Sequence, residues 1–341
     1  MINDWWNEAI AAAEMGRIGD NVIRAAIKTI CLKRSVEIFR LSANKRREEL
    51  ERFTAILDQS EIVIAPEIAN AQHYEVPAEW FQHMLGPRMK YSCCAFSPGV
   101  TDLAVAEDVA LAETCRRAEL KDGHRIVELG CGWGSLTIWM AERFPASSIV
   151  AVSNSASQKR FIEDQLTKRG LTNVRVITAN VAHWEPDTAV DRVVSVEMFE
   201  HLRNWRRMFQ KIASWLTPDG RFFMHIFCHR FAAYLYETTG ADDWMGRNFF
   251  SDGMMPSRDL PAQFQDDLRL VRTWTWDGRQ YQKTAAAWLS RFDNQKSQLT
   301  GRFDPKEIQR WRIFLMAVEE MFGWRQGKDW GVGHYLFERK G

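Results

Sequence analysis

The run 126-IVELGCGWGS-135 reads as a buried strand that ends in an acid, breaks over Gly130, Gly132 and Gly134, and hands over to a helix. Glycines at such a break let the chain turn sharply and let a ligand approach the main chain. The same grammar continues on both sides. Apolar β-type runs at RIVEL (125–129), SIVAV (148–152), VRVIT (174–178), DRVVSV (191–196) and RFFMHIF (221–227) alternate with helical stretches ending near Arg143, Arg169 and Leu216. Continuous apolar strands alternating with helices predict an α/β fold, a mostly parallel twisted sheet with helices on both faces. Turn signals at KDG (121–123) and PDG (218–220) stand where helices give way to strands.

Beyond Phe227 the alternation stops. Residues 228–267, rich in aromatics, Met, Gly and Asp, predict an inserted helical lid. RLVRTWTW (269–276) predicts a further strand, two helices follow, and GHYLFERK (333–340) predicts the last strand. Residues 1–90 read as a helical N-terminal extension or cap, and 91–341 as the main domain carrying the lid. Within the extension Val22, Ile23, Ala26, Ile27 and Ile30 recur at helical spacing, with Arg24, Lys28, Lys33 and Arg34 on other faces. Such a helix either packs on its own domain or lies on an anionic membrane, and packing is the expectation. The charged run 44-NKRREELER-52 reads as a solvated helix face.

Composition narrows the classes. The chain has 341 residues, enough for one elaborated domain or a domain with an appendage. Its formal net charge of +1, from 45 basic and 44 acidic residues, gives no global field for nucleic acid. The opening MINDWWNEAIAAAEMG does not read as a signal peptide, and no stretch approaches the ~18 uncharged apolar residues of a membrane span. Six cysteines include the adjacent pair Cys93–Cys94 but no CxxC for zinc, so no metal is expected; free thiols in a reducing cytosol are the simplest reading. Fifteen Trp and 20 Phe allow an aromatic core or an aromatic-lined cavity.

The glycine break also narrows the ligand. A dinucleotide fingerprint is GxGxxG, whereas this is GxGxG with Glu128 two residues before it, which suits a ligand with an amino-acid end. S-adenosylmethionine is such a ligand, its methionine portion meeting the loop backbone while Glu128 either orients the loop or faces the α-ammonium. The end of the second strand, 152-VSNSASQ-158, has no acid for the ribose diol, so Ser153, Asn154 and Gln158 are the candidate partners. In 178-TANVAHW-184, Asn180 is placed to face the adenine amine; Trp184 either covers the ring or belongs to the core.

With these residues in place, the chain resembles the class I methyltransferases of the cyclopropane-fatty-acid synthase superfamily, and more narrowly the coclaurine N-methyltransferase group. The resemblance runs through 74-YEVPAEWFQHMLGPRMKYSCCAF-96, the glycine motif, 153-SNSASQKRFIE-163, 195-SVEMFEHLRNW-205, 224-MHIF-227, the YxxT of Tyr281 to Thr284 and the closing HYLF. It implies a Rossmann-like fold and S-adenosylmethionine as cofactor, with Tyr91, Ser92 and Val181 joining the cofactor-binding set. Asn180 stands where the superfamily usually has Asp, and Ala95 where YSC motifs often carry an aromatic. Cyclopropane synthases, as the family implies, hold a bicarbonate base with Cys, Glu, His and Tyr, matched here by Cys93, Glu200, His225 and Tyr281. Those synthases usually carry a small residue at the position of Glu197. The N-methyltransferases resemble VEMFEH, with Glu197, Glu200 and His201 matching their catalytic acids and histidine.

That acidic cluster at the end of a buried strand favours amine chemistry. A free alkylamine is mostly protonated near neutrality, like a lysine of pKa ~10.4. Carboxylates attract the ammonium and then accept its proton, and a histidine adds a group that titrates in the right range. A lipid double bond offers no charge, and an unpaired carboxylate in its tunnel is costly. The expectation is therefore an S-adenosylmethionine-dependent N-methyltransferase acting on a small, aromatic or benzylic amine, as a monomer or homodimer. The alternatives are a lipid-methylating synthase using bicarbonate and a non-catalytic cofactor-binding scaffold. His225 reads as either an anion ligand or a core histidine. Phe96, Trp244, Phe249 and Phe250 read as either pocket lining or lid packing.

Overall fold

The computed structural model describes residues 2–64, 76–240 and 243–340. Tyr74 and Glu75 of the long motif, and Ala241 and Asp242 of the lid, lie outside the described residues.

Seven strands share one sheet: β1 (Arg125–Leu129), β2 (Ser148–Ser153), β3 (Val174–Thr178), β4 (Val190–Val196), β5 (Leu216–His229), β6 (Leu268–Asp277) and β7 (Trp330–Arg339). Their spatial order is 3-2-1-4-5-7-6. The first five run parallel, and β7 is antiparallel to both its neighbours. The central strands are largely apolar because both faces are covered, whereas the edge strand β6 is mostly exposed or half-buried. Adjacent residues alternate between the two sides, as the pleat requires. Val127, Leu129, Val193, Phe222, Met224 and Phe337 join one apolar cluster, while Ile126, Val194, Phe223 and Leu336 join the other.

The helices, in chain order, begin with α1 (Ile2–Glu14), α2 (Asp20–Phe39), α3 (Ala43–Asp58) and α4 (Ala78–Met84). Around the parallel strands come α5 (Leu103–Arg117), α6 (Ser135–Arg143), α7 (Ala156–Arg169) and α8 (Trp205–Trp215). After β5 follow α9 (Trp244–Asn248), α10 (Arg279–Asn294), α11 (Lys296–Leu299) and α12 (Pro305–Gly323). Phe53 and Leu57 of α3 sit in the same cluster as Phe209 and Trp205 of α8. Leu111 and Cys115 of α5 lie against the other face with Trp139 of α6.

Two expectations change. The buried stripe of α2 is Ile23, Cys31, Ser35 and Ile38, whereas Val22 is 62% exposed and Ile30 faces outward. Its basic face is held by the protein: Arg24 donates to Glu319 (2.7 Å) and Glu320 (2.6 Å) of α12, and Lys28 pairs with Glu320. The lid is not mainly helical. Among its described residues it holds one short helix, α9, a 3₁₀ turn at Leu260–Gln263 and a two-residue ladder joining Tyr234–Leu235 to Met254–Met255. No helix among the described residues is long and apolar enough to cross a membrane.

Candidate active site

The chain leaves β1 towards β2 on one side and returns to β4 on the other, so a crevice opens at the carboxyl ends of these strands. A cavity fills it. Glu128, Gly130 and Gly132 line it from β1, Ser153, Asn154 and Gln158 from β2 and α7, and Asn180 and Val181 from the end of β3. Gly132 has φ +52, and a Cβ there would meet nothing within 4 Å, so its main chain lies open to a ligand. Gly134 is different: it does not line the cavity. It begins α6 at φ +79, and a Cβ would come within 2.7 Å of Ile162, so its role is to let α6 pack on α7.

Glu128 is buried and accepts a 2.5 Å hydrogen bond from the Thr137 hydroxyl, which ties the strand end to α6. Burial pushes its pKa up to about 8. The Ser153 hydroxyl donates to Gln158 (2.7 Å), and Asn180 accepts from the Ala182 N–H (2.9 Å) in a tight turn. Trp184 stays out of the cavity and packs edge-on against Trp215 at 5.6 Å, so its reading is core.

A second wall comes from the segment before α5. Glu107, buried, accepts from the backbone N–H groups of Arg88 (2.9 Å) and Lys90 (3.4 Å) and so fixes the approach of the chain. Lys90 donates to the Ser92 hydroxyl and to the Cys93 carbonyl (2.9 Å). Tyr91 and Ser92 thereby line the cavity, with the Tyr91 ring against Phe81 (5.0 Å) and Trp288 (5.6 Å). Val63 and Ile64, from the N-terminal part of the chain, also face it.

The acids meet at the end of β4. Glu197 has φ +50, a left-handed conformation uncommon for a residue with a side chain. Its own N–H donates to the His225 carbonyl (2.8 Å). Its Oε1 accepts from the Cys93 N–H (3.0 Å) and from His225 Nε2 (3.1 Å), and its Oε2 from the Tyr281 hydroxyl (2.8 Å). Cys93 thus acts through its backbone, because burial and then the Glu197 charge push its thiol well above the ordinary range. A 3₁₀ turn over Phe199–His201 carries the next two groups. Glu200 is fully buried; its Oε1 accepts from the Phe227 N–H (2.7 Å), and its Oε2 has no hydrogen-bond partner among the described residues. Burial and the neighbouring Glu197 raise Glu200 well above the carboxylate range. Burial raises Glu197 too, but Lys90, the Cys93 N–H and Tyr281 oppose it. Glu197, whose carboxylate accepts three donors, is the member of the pair placed to carry the negative charge, while Glu200 accepts one. His201 lines the cavity with its ring stacked on Phe250 at 5.8 Å and 9°.

Behind this cluster lies a group the sequence does not announce. His225 Nδ1 faces His334 Nε2 at 3.0 Å, and His334 Nδ1 faces the Arg117 guanidinium. His334 sits opposite His225 in the β5–β7 register, so pairing across more than a hundred residues brings them together. Only the closing HYLF hinted at it. Of the four candidate pocket aromatics, Phe250 lines the cavity, while Phe249 stacks on Phe314 (4.3 Å), Trp244 packs on Phe249 and Phe96 is buried beside α10. Trp288 and Phe314 complete the lining and were not foreseen. All six cysteines are free and buried, and among the described residues no cluster of His, Cys, Asp and Glu is set to hold a metal ion.

This sheet order, with a glycine break at its switch point, defines a class I methyltransferase fold. The pattern of the mycolic acid cyclopropane synthetase family matches residues 64–328, and the chain belongs to that family. The (S)-coclaurine N-methyltransferase of Thalictrum flavum subsp. glaucum is 36% identical over 98% of this chain and 96% of its own. A crystal structure of coclaurine N-methyltransferase bound to N-methylheliamine and SAH superposes with a TM-score of 0.92 at 32% identity, covering 97% of this chain and 99% of that one. A cyclopropane synthase from Mycobacterium tuberculosis shares the fold, with a TM-score of 0.71 at 19% identity over 82% of this chain and 100% of that one. The protein is an S-adenosylmethionine-dependent methyltransferase.

Proposed function

We propose that the enzyme methylates the nitrogen of a cyclic or benzylic amine of the benzylisoquinoline class, the kind of acceptor named for its coclaurine-methylating relatives. One observation carries this reading. The Cys93 N–H, His225 and Tyr281, which the resemblance assigns to a bicarbonate ion, all donate instead to the carboxylate of Glu197. The chain's own side chain fills that anion position, and its negative charge faces a cavity walled by Phe227, Phe250 and Trp288. An aromatic ammonium fits such a place by charge and by contact with ring faces.

The residues then divide the work. Glu197 attracts and orients the ammonium. His201, in the same cavity, takes its proton and leaves a neutral nitrogen lone pair. Glu200, holding its own proton in the buried turn, keeps a second negative charge from competing for the substrate. Glu128, the open backbone at Gly132, and Ser153, Asn154, Gln158, Asn180 and Val181 hold S-adenosylmethionine, which supplies an electrophilic methyl group when bound. With its proton on His201, the amine would be held by Glu197 and the cavity walls with its lone pair free for that methyl group. Much of the rate comes from holding the amine in line.

The test pairs methyl-labelled cofactor with tetrahydroisoquinoline and coclaurine in one tube and unsaturated phospholipid vesicles in another. Label is expected in the amines, with Glu197→Ala lowering kcat/KM by about 10²–10³-fold because it removes a buried charge partner. Label in the lipid, with untouched amines, would replace this reading with the synthase one.

A further inference from the structure

Arginine carries only donors, so Arg117 sets the polarity of every link that follows it. His334 must accept at Nδ1, which leaves its proton on Nε2. That Nε2–H donates to His225 Nδ1 at 3.0 Å, so His225 carries its own proton on Nε2 and donates it to Glu197 Oε1 at 3.1 Å. All three links point the same way. Arg117 is itself pinned: its Nε donates to Glu113 at 2.6 Å, and its guanidinium lies 5.3 Å from the ring centres of both Trp274 and Trp276. Both histidines are buried and neutral. Burial pushes them well below the ordinary range, and the charges of Lys90 and Arg117 push in the same direction.

We propose that Arg117 and His334 are positioning residues that fix the tautomer of His225, so that Glu197 receives an N–H and stays the anion that meets the ammonium substrate. In the other tautomer the Nε2 lone pair would face a carboxylate lone pair and repel it. The chain is a polarised support and not a proton exit. His225 already bears hydrogen on the nitrogen facing Glu197, so the substrate's proton leaves on the His201 side. This inference rests on the amine reading. The charged and titratable groups facing Glu197 are Lys90, Cys93, Glu200, His225 and Tyr281, and those acting on His334 are His225, Arg117 and Lys90; every group on both sides but the substituted residue stays in place in the variants below.

The decisive comparison is His334→Leu against His334→Gln. Glutamine presents an oxygen to Arg117 and an N–H to His225, preserving the direction, whereas leucine breaks it. The acid limb of kcat/KM for tetrahydroisoquinoline is expected to move up by about one pH unit in His334→Leu, since an N–H to a charged acceptor is lost. The limb should return close to its original position in His334→Gln, with SAH binding unchanged in both. Equal losses in the two variants with no movement of the limb would overturn the proposal and leave His334 a packing residue. If His334→Leu fails to fold, Arg117→Met against Arg117→Lys makes the same comparison, because lysine also only donates. Should the wild-type protein methylate no amine, the functional reading fails on its own. The relay is then read without turnover, from nitrogen-15 shifts of labelled histidines: an Nε2–H His225 upholds it, and an Nδ1–H or doubly protonated ring sinks it.

Discussion

Glu197 shows how one backbone angle can place a charge. At φ +50 the chain turns its carboxylate back across β5 to three donors, where an extended residue would carry it past them. His201 lines the cavity and stacks on Phe250, so removing it should affect the proton step most. His201→Ala is expected to lower kcat by about 10²–10⁴-fold with SAH affinity unchanged, as read by single-turnover kinetics and calorimetry. Glu128 gives a prediction in pH. Its pKa near 8 in the folded protein lies above its value of 4.5 in the open chain. Folding therefore holds a proton there, and its contribution to stability falls as pH rises from about 4.5 to 8, then levels off. A ligand ammonium beside Glu128 would ionise it. S-adenosylmethionine binding at pH 6.5 should thus release close to one proton, seen as a dependence of the calorimetric heat on buffer, and Glu128→Gln should abolish that release.

Among the elements, the parallel strands were legible as short runs rich in β-branched apolar residues: VRVIT forms β3 as read, and RIVEL forms β1. β5 begins earlier than read, at Leu216, since Leu216 already pairs with Val190 ahead of the bulge. The cluster of Glu197, Glu200 and His201 could be seen in sequence because a tight turn keeps near neighbours together. His334 and Arg117 could not, since strand register and helix packing bring them in from afar. The lid misled for a different reason: its aromatic composition has no period, and its short helix is held by a distant partner. Glu14 of α1, 5% exposed, accepts from Trp244 Nε1 of α9 (2.9 Å) and pairs with Arg310 (3.0 Å) and Lys306 (3.2 Å) of α12. Those donors hold its carboxyl below the usual range despite its burial. Glu14→Ala should loosen that clasp, raising amine KM several-fold and speeding amide exchange over residues 244–250, with exchange in β1 and β4 unaffected.

At the scale of the whole molecule, a coclaurine N-methyltransferase and a cyclopropane synthase share this fold, so the fold alone decides no acceptor. What separates the two readings is a single carboxylate, Glu197, which takes the Cys93, His225 and Tyr281 donors that a dissolved anion would otherwise meet. An ion taken from solution depends on its supply, and it leaves and returns. A carboxylate carried by the strand end is present at a local concentration no solute reaches, so the enzyme should be indifferent to dissolved carbon dioxide. The tether also makes the site reversible by chemistry. Glu197→Gly leaves the Cys93, His225 and Tyr281 donors facing a gap, and added formate or bicarbonate should restore part of the lost amine methylation in a saturable way, while chloride should not. The folded chain would then have traded a built-in anion for a borrowed one.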